Sequence, residues 1–241
     1  MEVALVTVGD EILAGDTVNT NAAWLGEQLD RRGVAVARVT VLPDDVADIA
    51  RVVNEYRAAY DAVIVTGGLG PTHDDLTMEG VAAAFGRELA ASDEVLAWLE
   101  TDGYAAADLA EGTTEIPRGA RMLENPEGVA PGCVIGSVYV LPGVPGEMKA
   151  MFETVADEFA GERQFTESVV AAEPESALLD RFERVREEFD VTVGSYPGEN
   201  VRVKIRGPDE DTVARAADWV RDRVDAPESD SDDVNEGEAS R

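Results

Sequence analysis

The sequence is poor in residues that build disulfides or zinc sites. Cys133 is the single cysteine and His73 the single histidine among 241 residues. One cysteine cannot form an internal disulfide, and structural zinc sites need clusters of cysteine and histidine. The composition therefore excludes a disulfide scaffold within this chain and a Cys/His zinc site. Cys133 follows Gly132 beside an expected strand, so it is predicted to be a small core residue rather than a nucleophile.

Long apolar runs are also missing. No stretch approaches the roughly 18 to 20 unbroken apolar residues of a membrane span, and the first residues lack the layout of a signal peptide. We therefore expect a cytoplasmic protein that makes no contact with membranes. Hydrophobic residues still make up 44% of the chain, which is enough to bury a substantial core.

Positive charge is scarce. Fifty acidic residues stand against 20 basic ones, and the net charge is −30. The last 16 residues hold six acids and one arginine, so the rest of the chain still carries −25. A chain this acidic repels nucleic acid at ordinary salt, and we expect no nucleic-acid partner.

Lysine is scarcer still, because Lys149 and Lys204 are the only lysines. This bias and the acidic excess are typical of a protein adapted to a salt-rich cytoplasm, where a screening length of about 3 Å at 1 M salt weakens the repulsion between like charges. We predict that dialysis to low salt causes loss of folding or activity, measured as a fall in the melting temperature. An unchanged melting curve at low salt would contradict this halophilic interpretation.

The order of apolar segments predicts an α/β fold. Strands are expected at 2–8, 34–42 and 62–66, with helices between them, which is typical of repeated βαβ units and a mainly parallel sheet. Ligands bind such sheets outside the carboxyl ends of the strands. The loops that follow these three strands are therefore the candidate site.

The remaining residues are predicted to begin with a segment that lacks regular secondary structure. Residues 112–131 read as irregular, and short strands at 133–135 and 138–141 lead into a helix over 147–159. Three segments are expected. Residues 1–161 form a three-layer domain, 162–225 form a small α/β sandwich with a βαββα pattern, and the acidic residues 226–241 are predicted to be disordered.

Two glycine-rich loops could supply backbone N–H donors to a phosphate. The first follows the third strand and lacks the spacing of either a Walker A loop or a dinucleotide fingerprint, so a purely structural turn remains an alternative. Its candidate ligand-binding residues are Thr66, Gly67, Gly68, Gly70, Pro71 and Thr72. The second loop would lie across the crevice, and its candidates are Pro142, Gly143, Pro145 and Glu147.

Pairs of acidic residues follow each of the three strands. The pairs are Asp10 with Glu11, Asp44 with Asp45, and Asp74 with Asp75. Each aspartate could be a helix N-cap. A pair, however, leaves one carboxylate for another role, and carboxylates beside a phosphate indicate a shared metal ion. We therefore expect these acidic loops to serve one site jointly, with Asp10 and Glu11 in contact with the ligand.

Several further polar or aromatic residues have two interpretations. Asn19 and Asn21 could orient a ligand or cap a helix. His73 is more readily explained as an exposed loop residue than as a general base. The tryptophans fall within helix patterns and are interpreted as packing residues; they are Trp24, Trp98 and Trp219.

Four motifs resemble the amino-terminal part of CinA proteins, which share a molybdopterin-binding fold with MoaB, Mog and MoeA. They are GDEIL at 9–13, NTN at 19–21, TGGLGPTHDDLT at 66–77 and LPGVPGEM at 141–148. Residues 165–224 resemble the small KH-like domain of CinA. The carboxy-terminal nicotinamide mononucleotide deamidase domain of CinA has no counterpart in this sequence, so we expect no such activity from it.

The resemblance implies a reaction at a phosphate linkage. In related molybdopterin enzymes two aspartates support magnesium-dependent adenylyl transfer, and Asp44 and Asp75 match them by motif position. The implied catalytic residues are therefore Asp44 and Asp75, with Asp74 or a metal-bound water assisting. In CinA proteins the equivalent domain is associated with metal-dependent hydrolysis of ADP-ribose. The implied cofactor is a divalent metal, Mg, Mn or Co, held by Asp44 and Asp75, and the implied assembly is a homodimer or homotrimer.

Three functions are therefore compatible with the sequence. The first expectation is a metal-dependent pyrophosphohydrolase acting on ADP-ribose or a similar nucleotide sugar. The second is molybdopterin binding with adenylyl transfer. The third is a non-catalytic protein that senses a nucleotide or pterin. In each case the partner is a small phosphorylated molecule.

Overall fold

The computed structural model describes residues 1–101, 103–104, 109–110, 112–162 and 164–227. The described residues divide into two compact units, the first over residues 1–162 and the second beyond them. Disorder is predicted for residues 226–241, and of these residues 228–241 lie outside the described range.

The first unit alternates strands and helices. In chain order its described elements are β1 Glu2–Val8, α1 Asp10–Ala14, α2 Thr20–Arg31, β2 Ala35–Leu42, α3 Val46–Ala59, β3 Ala62–Thr66, α4 Thr77–Ala84, β4 Leu89–Ala91, α5 Asp93–Thr101, β5 Glu115–Pro117, β6 Arg121–Leu123, β7 Gly132–Ile135, β8 Val138–Leu141, α6 Pro145–Val155 and a 3₁₀ turn Ala156–Glu158.

The main sheet has the strand order β2-β1-β3-β8-β7-β6. Strands β2, β1, β3 and β8 run parallel, and β7 and β6 continue the sheet antiparallel. Successive side chains of β3 enter different cores, because Ala62 and Ile64 pack with α2 and α6 whereas Val63 and Val65 pack with α3, α4 and α5. The expected three-layer α/β fold with a mainly parallel sheet is confirmed.

The chain changes direction within this sheet at β1. From β1 it crosses through α2 to β2 on one side, and then through α3 to β3 on the other side. Since α2 and α3 cover opposite faces of the sheet, a crevice opens at the carboxyl ends of β1 and β3, where ligands bind in open α/β sheets.

Two local predictions were wrong, and one short helix was not predicted. Residues 112–131 are not all irregular, because they contain β5 and β6, each three residues long and too short to show a periodic pattern. Asp10 and Glu11 begin the five-residue helix α1, which ends at Gly15 in a left-handed conformation. Helix α6 begins at Pro145 rather than 147, since proline suits the first turn of a helix, and gives way to the 3₁₀ turn after Val155.

The predicted packing residues occupy the cores. Trp24 and Trp98 pack against the two cores of the first unit, and Trp219 packs against that of the second. Cys133 is fully buried, and burial raises the pKa of its thiol to about 12. It is therefore an unreactive core residue, as expected.

The second unit follows the predicted βαββα order. Its described elements are β9 Phe165–Ala171, α7 Glu175–Glu188, β10 Thr192–Tyr196, β11 Val201–Gly207 and α8 Glu210–Arg221. The three strands form an antiparallel sheet in the order β10-β11-β9. Buried residues of β9 and β11 pack against both helices on one face of the sheet. No helix in the described part of the chain is long and apolar enough to cross a membrane.

Candidate functional site

A cavity of about 500 Å³ occupies the crevice at the carboxyl ends of β1 and β3. Of the residues predicted from the sequence, those that line it are Glu11, Asn19, Asn21, Asp44, Thr66, Gly67, Gly68, Gly70, Pro71, Asp74, Asp75, Pro142, Gly143, Pro145 and Glu147. Asp10 and Thr72 are not among them. The three acidic loops and both glycine-rich loops therefore meet at one edge of the sheet, as the βαβ pattern predicts.

The first glycine-rich loop passes so close to β1 that side chains are excluded. Gly67 has a φ of +97°, and a Cβ atom there would lie 2.2 Å from the carbonyl oxygen of Val8. Gly68 has a φ of +63°. A Cβ atom on Gly143, in the second loop, would lie 3.2 Å from the Cα of Gly67. The two loops are thus in contact, and this part of the cavity is built from main chain.

The helix-cap alternative fails for the aspartates after β3. Helix α4 is preceded by Leu76 and has no side-chain cap. Asp75 instead closes its own loop, because its Oδ2 accepts hydrogen bonds from the Thr72 N–H at 2.9 Å and the Thr72 hydroxyl at 2.6 Å. Thr72 therefore acts by holding Asp75, while the neighbouring Asp74 is exposed and lines the cavity.

The pair after β2 divides its roles as the sequence suggests. The Asp45 side chain caps α3 by accepting a hydrogen bond from the Asp48 N–H at 2.9 Å. Asp44 is left to face the cavity, and its Oδ2 accepts a hydrogen bond from the Asp10 N–H at 2.9 Å. Asp10 thus reaches the site through its main chain.

The Asp44 carboxyl lies in a region of negative potential. Burial raises its pKa above the ordinary value, and the charges of Asp10, Glu11 and Asp74 raise it further, against the opposing effect of the Asp10 N–H. A carboxylate whose ionised form is disfavoured in this way gains free energy from a cation placed beside it.

Asn19 and Asn21 differ in function. Asn19 is the N-cap of α2, with Oδ1 accepting from the Ala22 N–H at 3.1 Å and Nδ2 donating to Thr7 Oγ1 at 3.0 Å. Asn21 is 8% exposed and donates from Nδ2 to the carbonyl oxygen of Gly143 at 2.7 Å. Its buried Oδ1 has no hydrogen-bond partner among the described residues. Asn21 therefore ties α2 to the second glycine-rich loop.

The cavity is lined by carboxylates without a balancing cation. Among the described residues no lysine, arginine or histidine lines it. The acids are Glu11, Asp44, Asp74, Asp75 and Glu147. A phosphate could not enter such a site unless a cation came with it.

The donor set suits a metal ion that binds together with a phosphate. Within the described parts of the chain no three His, Cys, Asp or Glu residues are grouped closely enough to form a metal cage. Magnesium, however, is usually held by one or two carboxylates, several waters and the oxygens of the substrate phosphate. Asp44, with its raised pKa, fits that arrangement. In Asp75 both hydrogen bonds from Thr72 go to Oδ2, so Oδ1 is the oxygen that could contact a metal ion.

A second cavity of about 360 Å³ lies on the other side of the first glycine-rich loop. The two cavities share Gly68, Gly70 and Asp75. Apolar side chains such as Leu76 and Met78 line the second one. His73 also borders it with a fully exposed side chain, in agreement with the interpretation of His73 as a loop residue. The glycine loop thus separates the cavity of the five carboxylates from a second one, whose lining combines apolar side chains with Asp75, Glu79 and Glu115.

Sequence reasoning missed the segment 124–131, which forms a wall of both cavities through Val129 and Ala130. Asn125 organises this wall. It is 1% exposed, and its Nδ2 donates to Glu147 Oε2 at 2.8 Å and to the carbonyl oxygen of Ala130 at 3.0 Å. Its Oδ1 accepts from the Glu127 N–H at 3.2 Å. The signal available in the sequence was an Asn-Pro turn followed by glycine.

Replacing Asn125 by aspartate is expected to destabilise the protein at neutral pH. The change keeps the size of the side chain but places a second carboxylate against Glu147, and two carboxylates that share a site cannot both ionise without cost. The melting temperature of Asn125→Asp should therefore fall relative to wild type by several degrees, roughly 1–3 kcal/mol of lost stability, and the loss should shrink on acidification.

Asn54→Asp is the matched control, because Asn54 is exposed on α3 and its side chain accepts from Arg57. Its melting temperature should change little at either pH. If Asn125→Asp were as stable as this control at neutral pH, Asn125 would not hold the Glu147 carboxylate.

The chain belongs to the molybdopterin-binding domain family. The family model described as "Probable molybdopterin binding domain" matches residues 4–161. Within that family the first unit is CinA-like. It is similar to a CinA-like protein of Frankia casuarinae, with 44% identity over 165 residues, which cover 63% of this chain and 38% of that protein.

Two archaeal proteins extend the comparison. The crystal structure of CinA from Thermoplasma acidophilum, a protein described there as having unknown function, is similar with a TM-score of 0.61 and 40% identity, covering 66% of this chain and 97% of that one. A protein of Archaeoglobus fulgidus is 39% identical over 218 residues, covering 90% of this chain and 95% of its own length.

Proposed function

We propose that the chain binds a phosphorylated pterin of the molybdopterin type together with a divalent metal ion, and that it supports adenylyl transfer to that phosphate. The observation that carries the proposal is the main-chain cavity of the two glycine-rich loops, lined by five acids and by no cation of the described chain. Membership of the molybdopterin-binding family supports a pterin as the ligand.

The two cavities suit a molecule with a ring and a phosphate. The phosphate would occupy the first cavity, where the loop N–H groups can donate to its oxygens. The ring would occupy the second cavity across the loop, against Leu76 and Met78. The glycine loop between the two cavities would then contact the junction of the two parts.

Particular residues would perform the chemistry. Asp44 and Asp75 would hold a magnesium, manganese or cobalt ion, which supplies Lewis-acid stabilisation of charge at the reacting phosphate. Thr72 would orient Asp75 through its two hydrogen bonds. Asp74, exposed at the rim, would accept a proton from the attacking oxygen or from water.

Hydrolysis of ADP-ribose is the second candidate. It is the reaction that the motif resemblance to CinA proteins implies, and the same cavity would serve, because both reactions break a phosphoanhydride bond beside a metal ion. It differs from the first in the attacking group, which is water instead of the pterin phosphate.

The purified chain in concentrated KCl is tested with each metal in two assays: pyrophosphate release from ATP and molybdopterin, and AMP release from ADP-ribose. We expect metal-dependent pyrophosphate release from wild type and none from Asp75→Asn, with Asp16→Asn, exposed and outside the cavity, as the matched control. AMP release alone would favour hydrolysis. If a folded sample binds molybdopterin in calorimetry but forms neither product, the proposed catalysis is wrong and the chain is a binding protein.

A further inference from the structure

Two strongly exposed apolar side chains border the first cavity. Val18 is 78% exposed, the largest value among the large apolar residues that the structure describes, and Val144 is 55% exposed. Both line the first cavity, and neither lines the second. Single exposed apolar side chains need no explanation, but a pair of them beside a ligand cavity indicates a binding surface.

The two valines belong to segments that are held together. Val18 lies three residues before Asn21, and Val144 directly follows Gly143. The hydrogen bond from Asn21 Nδ2 to the carbonyl oxygen of Gly143, at 2.7 Å, joins these segments where α2 and α6 begin. The backbone therefore places both valines on the side of the cavity that the starts of α2 and α6 form.

Most of the acids come from a different part of the lining. Asp44, Asp74 and Asp75 lie in the loops that follow β2 and β3. Glu147, the lining acid closest in sequence to Val144, has its carboxylate engaged by Asn125 Nδ2 at 2.8 Å. The cavity thus combines a part suited to a metal ion and a phosphate with a part that offers apolar contact.

The first cavity is larger than a phosphate and a metal ion need. Its volume of about 500 Å³ falls within the range of pockets that hold whole small molecules, roughly 300–1,000 Å³. A phosphate group and a metal ion take the place of only a few waters, each about 30 Å³. The remaining space can hold an uncharged part of the same ligand.

We propose that Val18 and Val144 bind one face of the base of a nucleotide whose phosphates occupy the first cavity. The inference rests on the proposed function, because adenylyl transfer requires a nucleotide as well as the pterin. A nucleobase is uncharged, so the carboxylates do not repel it, and its flat face can cover apolar side chains. Among the described residues no aromatic side chain lines this cavity, so aliphatic contact takes the place of stacking.

The two valines determine specificity in this arrangement. They contact the base, whereas the metal ion and the loop N–H groups contact the phosphates. A ligand that carries the same phosphates without a base therefore binds more weakly, and shortening the valines removes the difference.

The test compares ATP with ribose 5-triphosphate, which has the same phosphates and no base, on the full chain with Mg²⁺ in concentrated KCl. Calorimetry should show that ATP binds about 10-fold more tightly. The double variant Val18→Ala with Val144→Ala should lose about that factor for ATP and nothing for ribose 5-triphosphate. In NMR spectra of ¹³C-labelled valine methyl groups, only ATP should shift the Val18 and Val144 signals, because the ring current of the base acts on nearby nuclei.

Val39→Ala with Val170→Ala is the matched control. Both valines are exposed, Val39 on β2 and Val170 on β9, and neither lines either cavity. This double variant should bind both ligands as the wild type does, and ATP should leave the methyl signals of Val39 and Val170 in place.

Three results would overturn the proposal. If ATP binds without shifting the Val18 and Val144 signals, or binds the Val18→Ala, Val144→Ala variant as tightly as wild type, the base lies elsewhere, although phosphate binding stands. If neither ligand binds a folded sample with magnesium, manganese or cobalt, the phosphate site is wrong and the base site is wrong with it. If the two valine signals change with protein concentration instead of with ATP, these valines contact a second copy of the chain.

Discussion

Replacing Asp44 by asparagine is expected to abolish metal-dependent turnover, by about 100-fold or more, while making the protein slightly more stable. The Asn Oδ1 can still accept the hydrogen bond that the Asp10 N–H donates to Asp44. What disappears is a negative charge held among other negative charges. Activity and melting temperature are measured on the same sample, and the melting temperature should rise by about 2 °C at neutral pH.

The raised pKa of Asp44 is the reason why Asp44→Asn should be more stable than wild type at neutral pH. Burial and neighbouring carboxylates raise the pKa of Asp44 in the folded protein. Folding therefore disfavours the ionised form, and the wild type loses stability as pH rises from the ordinary aspartate pKa through the raised one. The stability difference between Asp44→Asn and wild type should be present at neutral pH and vanish below the ordinary aspartate pKa. A variant that is less stable than wild type at neutral pH, or that turns over normally, would contradict the role of Asp44.

Replacing Gly67 by alanine is expected to cost about 4 kcal/mol of folding free energy. Alanine would have to adopt a φ near +97°, and its Cβ would lie 2.2 Å from the carbonyl oxygen of Val8. That oxygen belongs to the last residue of β1, which pairs with Leu42 of β2, so moving it would disturb this pairing. Chemical denaturation should show the loss directly, and ligand binding should fail in any fraction that still folds.

Gly146→Ala is the matched control in the second glycine-rich loop. A Cβ atom there meets no atom within 4 Å, and Gly146 lies in the first turn of α6. Alanine at this position should leave stability unchanged or raise it by about 0.5 kcal/mol. Equal effects of the two substitutions would show that the close approach of Gly67 to β1 is not what requires glycine.

Much of the fold could be predicted from local patterns. Short apolar runs such as Glu2–Val8 and Ala62–Thr66 predict the parallel strands, and Asp45 and Asn19 mark helix starts by the cap chemistry expected of them. Strands of three residues such as Arg121–Leu123 escaped prediction because their pairing is decided by distant partners, here β7. Three residues are too few to show the alternation of apolar and polar side chains that indicates a strand.

The location of the candidate site could be predicted from the sequence, but several of its side-chain contacts could not. Topology alone brings Glu11, Asp44 and Asp74 to one edge of the sheet. The choice between cap and free carboxylate was not decided by sequence for Asp75, whose partner is Thr72 rather than a helix N–H. The Asn-Pro turn marks Asn125 only as a turn residue, and its importance arises from contact with Glu147, 22 residues away.

The contact between Gly67 and Gly143 joins loops from β3 and β8, two strands that lie side by side. No side chain lies between the loops that could change rotamer to absorb a displacement. Asn21 also connects the second loop to α2 through its hydrogen bond to the carbonyl oxygen of Gly143. A ligand that displaces one loop must displace the other and strain this hydrogen bond. The rim of the cavity should therefore behave as one stiff ring, slow in amide hydrogen exchange even before anything binds, and its fit to a phosphate would be set by the path of the backbone.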